Sequence, residues 1–213
     1  MTTRRHTCTS HGLLKTGWLL LLLACNPVPP PAADEATRTP APANDRKGLA
    51  KDFDALLKRA EDAVAREDRI LATQLVARGL ADTAEAGRDF EEYRAGFLLL
   101  KGQLAFAGAA VNDARRFLGD AMAIYQVTDN DAGICRVNLA LALLEDSIGD
   151  TATAARHLET ASALVKKKDD PPMEARHAMV RGTLALSRMD YADAATAFAE
   201  AIRLFGAIED RRA

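Results

Sequence analysis

The stretch Ala114-Arg115-Arg116-Phe117-Leu118-Gly119-Asp120-Ala121 returns in outline forty residues later as Ala154-Ala155-Arg156-His157-Leu158-Glu159-Thr160-Ala161, and again as Ala194-Ala195-Thr196-Ala197-Phe198-Ala199-Glu200-Ala201. Positions i, i+4 and i+7 share one face of an α-helix. In all three copies that face reads Ala, then Leu or Phe, then Ala. Small residues let two helix backbones approach closely, and the large residue fills the space one turn on. The stretch therefore predicts the packed stripe of a helix whose partner lies nearby in sequence.

Working upstream, the same stride aligns Gly102, Ala142 and Gly182 as a close contact on that partner helix. It also aligns Ala95, Cys135 and Ala175, and Ala105 with Ala185, where Glu145 is the exception. Each unit is thus expected to be a helical hairpin. Stacking puts the units at 95–134, 135–174 and 175–213. Turn chemistry agrees: Gly108, Gly149-Asp150-Thr151 and Met189-Asp190-Tyr191 break between the two helices of a unit, with Asp150 an expected N-cap. Asp129-Asn130-Asp131 and Asp169-Asp170-Pro171-Pro172 supply caps between units, proline being suited to a first helical turn. Residues 48–94 read as a divergent first unit. Leu49, Phe53, Leu56, Leu57 and Val64 form one apolar face, and Ile70, Leu71, Leu75, Val76 and Leu80 another. The fold class expected is all-α, an α-solenoid of about four hairpins.

Composition fits. Apolar residues are 48% of the chain and charged residues 27%, a globular balance, while aromatics are only 5%, so Ala, Leu, Val and Ile must build the core. The net charge is −2. Residues 1–24 hold Arg4, Arg5 and Lys15 and no acid, so their removal leaves 25 bases against 30 acids, a charge of −5. Such a chain carries no electrostatic footprint for nucleic acid.

The alternation of small and large residues resembles the tetratricopeptide repeat (TPR). That family places Gly at position eight of its first helix, matched by Gly102 and Gly182, and Ala-x3-Phe in its second. The second pattern is matched by Ala114-Leu118, Ala154-Leu158 and Ala194-Phe198. Asn138-Leu139-Ala140 is similar to the first helix of long variants. The stride is forty residues where the family's is about 34, its Trp and Tyr positions hold smaller residues, and no proline closes the second helix. HEAT-like pairs, which share the longer stride, are the alternative.

The N-terminus is read as an address. A basic start precedes Trp18-Leu19-Leu20-Leu21-Leu22-Leu23-Ala24, the layout of a secretory signal. From Thr16 to Ala24 a helix would reach only ~14 Å, about half of a bilayer's hydrocarbon core. Leu22-Leu23-Ala24-Cys25 resembles the lipobox of bacterial lipoproteins. The resemblance implies a cleaved signal at 1–24, acylation of Cys25 and attachment to the cell envelope. With Asn26 rather than Asp next, it implies the outer membrane facing the periplasm. Residues 25–47 hold six of the eight prolines, at 27, 29, 30, 31, 40 and 42, and are expected to form a disordered Pro/Ala tether.

No motif of catalysis is found: no HExxH, GxSxG or P-loop, and no partner set for His157 or His177. The expectation is a protein that is not an enzyme and holds no metal or cofactor. Cys135, aligned with Ala95 and Ala175, reads as a small buried residue. His157 reads as a helix-surface residue, and Lys166-Lys167-Lys168 with Asp169-Asp170 as a solvated loop.

In the TPR family, first-helix positions two, five and nine line a concave face. Carried over, they are Gly96, Leu99 and Gln103; Arg136, Leu139 and Leu143; and Arg176, Met179 and Thr183, with Phe106 one turn beyond Gln103. The implied groove suits a peptide with apolar anchors and an acidic group. The resemblance implies an unidentified envelope protein or peptide as partner, with scaffolding or complex assembly as the role. Pilotin-like delivery of a secretin or pilus subunit, an adaptor for periplasmic hydrolases, and a structural lipoprotein without groove ligand are its alternatives.

Overall fold

The computed structural model describes residues 43–168 and 170–210. Eight α-helices follow in order: α1 Ala43–Ala65, α2 Arg69–Ala86, α3 Glu91–Ala107, α4 Val111–Val127, α5 Asp131–Ser147, α6 Thr151–Lys168, α7 Pro171–Ser187 and α8 Tyr191–Asp210. A short 3-10 turn, Arg88–Phe90, precedes α3. No strand occurs among the described residues. The described residues form an all-α solenoid of four helical hairpins.

The stride of forty holds for the last three hairpins: α3, α5 and α7 begin at 91, 131 and 171, and α4, α6 and α8 at 111, 151 and 191. Each unit thus opens four residues ahead of the expected boundary. The capping residues decide this. Asn130 and Asp170 accept the N–H groups of Gly133 and Met173 at 2.8 and 3.4 Å, so α5 and α7 start directly after them. Asp68, Asp150 and Asp190 cap α2, α6 and α8 in the same way. The sequence signals of the expected tether, Cys25 and residues 1–24 lie outside the described residues. The exception is 43–47, expected in the tether but found in the first turns of α1, where the prolines have ended and Asp45 supplies a favourable first-turn charge.

One turn design is used five times. The N–H groups of Ala110, Asp150 and Asp190 reach back to the carbonyls of Ala105, Glu145 and Ala185, all at 2.9 Å, and Asp68 and Asn130 repeat the bond to Ala63 and Tyr125. This closes the preceding helix in a Schellman-type turn, which needs a left-handed residue just before the donor. That residue is Gly149 at φ 84°, but elsewhere it is Glu67, Ala109, Asp129 or Met189, at φ 51–62°.

Within hairpins, the small-against-large pairing is met in space. A Cβ added to Gly102 would lie 2.7 Å from Leu118 Cγ, and one on Gly182 would lie 2.8 Å from the Phe198 ring. Ala114, Ala121, Ala154 and Ala161 are fully buried, as are Ala95, Cys135 and Ala175. Between hairpins, large residues seat over glycines in both directions: Phe97 of α3 lies over Gly79 of the preceding α2, and Tyr125 of α4 lies over Gly133 of the following α5. The first helices also pack on each other, α1 on α3, α3 on α5 and α5 on α7, forming one continuous layer.

Two expectations are corrected. Ile70 and Leu71 stand exposed, Ile70 at 76%, because the first turn of α2 directs Ala72, and not these two side chains, into the core it shares with Ala63 of α1. Lys166, Lys167 and Lys168 form the last turn of α6 rather than a loop, where they complement the helix dipole. Lys167 and Lys168 both reach Asp131 at 3.2 Å.

Ala109→Gly and Met189→Gly should each stabilise the fold by up to about 1 kcal/mol by relieving a left-handed non-glycine residue, raising Tm by about 2–4 °C. Gly149→Ala should lower it by a similar amount. Thermal unfolding followed by circular dichroism measures all three.

Candidate functional site

The layer of first helices brings two arginines together. Arg136 is the sixth residue of α5 and Arg176 the sixth of α7, so the common stride places them at the same height on neighbouring helices. A shallow cleft of about 90 Å³ opens beside them, lined by Gln103, Arg136, Leu139, Ala140, Leu143, Arg176, Met179 and Val180. Six of the ten groove residues expected from the sequence are thus gathered on one surface.

The other four are not part of it. Leu99 is fully buried in the cluster joining α3, α4 and α5, since α5 packs directly over that turn of α3. Phe106 is half-buried against the same cluster. Thr183 is exposed, and its hydroxyl donates to the Met179 carbonyl at 3.1 Å. Gly96 is likewise closed off, a Cβ there meeting Leu57 at 2.9 Å.

The two arginines differ in their surroundings. Arg136 is ion-paired with Glu61 of α1, a residue 75 positions away. Arg176 makes no ion pair or hydrogen bond among the described residues. Packing around its head group, and then the Arg136 cation, push its guanidinium below the ordinary value, although part of the side chain stays open to solvent. Beneath them Tyr125 is buried, and that burial raises its pKa. The surface therefore carries two cations and one anion over an apolar floor of Leu139, Leu143 and Met179. It suits an anionic group flanked by an aliphatic side chain. Its volume is that of about one side chain, well below the ~300 Å³ of small-molecule sites.

Glu61 was missed by sequence reasoning. It lies in the divergent first hairpin, and nothing local marks it. Glu145 was visible as the exception in a column of alanines. It is 6% exposed and accepts both Arg115 Nε and Nη2 at 2.9 Å, tying α4 to α5. Asn138 and His157 were read separately but form a pair. The Asn138 amide donates to the Ile134 carbonyl at 2.9 Å, so its oxygen accepts from His157 Nδ1, also at 2.9 Å. His157 is accordingly half-buried, which corrects its reading as a surface residue. His177 is half-buried as well, its Nε2 without a partner.

A larger open groove of about 680 Å³ runs between α1 and α2, past Leu49, Phe53, Arg59, Arg78, Asp82 and Glu85. Size does not make it the better site: Arg78 is already held by Asp82 at 3.2 Å, and its acids and bases are interspersed rather than convergent. Among the described residues no group of His, Cys, Asp or Glu is placed to hold a metal. None of their helices is long and apolar enough to cross a membrane. No protein-family model matches the chain, and no curated protein matches it in sequence.

Cys135 is fully buried, its thiol 3.9 Å from the Ala161 carbonyl, and burial pushes its pKa to about 11. With Cys8 and Cys25 replaced by serine, the native chain should stay inert to a thiol reagent at pH 8, and react with one equivalent only after unfolding. The two half-buried histidines predict the acid limb of stability. Burial lowers both pKa values below the unfolded 6.5. Between folded and unfolded values the unfolded state binds more protons, so stability rises with pH. Tm should therefore fall as pH drops through 6.5, and the fall should shrink in His157→Gln/His177→Gln.

Proposed function

We propose that the chain is a membrane-anchored envelope lipoprotein whose TPR-like domain binds another envelope protein, scaffolding or assembling a complex. The observation that carries this reading is the cleft on the layer of first helices, where Arg176 makes no direct ion pair or hydrogen bond among the described residues and lies beside Leu139, Leu143 and Met179. An unpaired guanidinium on a rigid, repeat-built surface is poised for a carboxylate, and the apolar floor for a neighbouring side chain. The resemblance of Leu22-Leu23-Ala24-Cys25 to a lipobox supports the anchor, and the proline-rich stretch after it supports a spacer that holds the domain away from the membrane. The membrane named is the outer one, facing the periplasm.

Binding and anchoring separate in the test. A photo-crosslinking residue at Met179 should capture one defined envelope protein in intact cells. Arg176→Glu should lower that capture at least tenfold with Tm unchanged, and Arg203→Glu on exposed α8 should not. Cys25→Ser should release the chain from membranes and abolish labelling by radioactive palmitate. Capture that ignores the charge at Arg176 removes the groove from the proposal.

A further inference from the structure

The repeat register shows that the two ends of the solenoid are finished differently. In the second hairpin, the face of α4 turned toward α5 carries Arg115, Met122 and Tyr125; Arg115 bonds Glu145 of α5, and Tyr125 lies over Gly133. Two strides on, the same positions of α8 are Ala195, Ile202 and Phe205. Nothing among the described residues covers them. Ile202 is 74% exposed and Phe205 37%, Ala195 and Ala199 are open, and a Cβ on Gly206 would meet nothing within 4 Å. The face that elsewhere receives a helix is apolar from Ala195 to Gly206 of α8, and Glu209 ends the stripe one turn on.

The opposite end is closed by charge. The caps Asp68 and Ala110 set the first hairpin 42 residues ahead of the second. On that offset, the α3 residues packed around α2, namely Tyr93, Phe97, Leu100 and Leu104, correspond to Lys51, Ala55, Lys58 and Asp62 of α1. All four are exposed. A charged outer face is how a helical array ends in water. It offers no seat for α8 of another molecule, which excludes head-to-tail stacking of copies.

We propose that α8 is a dimerisation helix, packing antiparallel on α8 of a second copy about a two-fold axis near residue 200. The face is self-complementary about that point: Ala199 falls against Ile202 of the second copy, and Ala195 against its Phe205. Small residues meet large ones, as Gly102 meets Leu118 inside the hairpins. The charge nearest the axis is already neutralised, since Glu200 is held by Arg181 at 3.1 Å. An isologous contact of this kind closes on itself and leaves the groove of first helices free. It therefore stands apart from the function proposed above. One helix on each side makes a small interface, below about 1,200 Å², so the dimer is reversible.

Cysteine cross-linking reads the axis directly. Two residues at position 199 are separated by about 4 Å of helical rise in the dimer, and two at position 192 by about 25 Å. The full chain carrying Ala199→Cys, treated with a mild oxidant in its own membranes, should give a disulfide-linked dimer. That dimer should be at least tenfold more abundant than for Ala192→Cys or for the unsubstituted chain, which controls for Cys8, Cys25 and Cys135. Adding Ile202→Glu should remove it while leaving helix content and Tm unchanged. Cross-linking at 199 no greater than at 192, insensitivity to Ile202→Glu, or cross-linking of Ala199→Cys to a different protein would each overturn the proposal.

Discussion

The approach of two helices at Gly102 and Gly182 sets the geometry on which everything else depends. Neither position has room for a methyl group unless Leu118 or Phe198 moves. The first and second helices of a hairpin are therefore held at one distance and one register, with the large residue seated where the Cβ would be. Overpacking such a seat costs about 1–3 kcal/mol. Because a small residue, Gly102, Ala142 or Gly182, recurs there with a stride of forty, each of the last three hairpins presents the same turns at the same height, and Arg136 and Arg176 line up on neighbouring helices without any contact designed for the purpose.

Stacking alone would give an array in which each hairpin knows only its neighbours. The bond from Glu61 to Arg136 departs from that, joining the first hairpin to the third across the layer of first helices. Both partners are partly screened, so the pair contributes little to stability on its own. Its effect is on charge: it neutralises one of two adjacent guanidinium groups and leaves the other open. The cleft thus differs from a symmetric double-arginine clamp. A single acidic group can pair with Arg176 without displacing a bonded partner, whereas a second one would compete with Glu61 for Arg136.

The hairpins were legible because their determinants are local and repeated. Alanine at 114, 154 and 194 and Asp at 150 and 190 each mark a position whose role is fixed within a few residues. The helix starts followed the caps, so reading Asn130 and Asp170 as the last residues outside a helix would have removed the four-residue shift. What stayed hidden depended on depth and on distance in sequence. Leu99 and Leu139 occupy the same repeat position and have the same side chain. Both are buried, Leu99 in the cluster of α3, α4 and α5 and Leu139, 4% exposed, in that of α5, α6 and α7, yet only Leu139 keeps an edge on the cleft. No periodicity within one helix distinguishes these. Glu61 and Arg136 are too far apart, and the first hairpin's offset of 42 breaks the alignment that would have paired them.

The ends of the array extend the same logic. Inside a solenoid, a position is apolar because the next unit buries it. At an end, the composition reports what surrounds the molecule. On α1 the equivalent positions carry Lys51, Lys58 and Asp62, and water is a sufficient neighbour. On α8 they carry Ala195, Ile202 and Phe205, and the largely open Ile202 forfeits most of the roughly 1.5–3 kcal/mol that its burial would give. A contiguous apolar stripe that long belongs to a surface with a partner rather than to scattered exposed residues. The same small-against-large packing that builds each hairpin is thus available a fourth time, between molecules instead of within one.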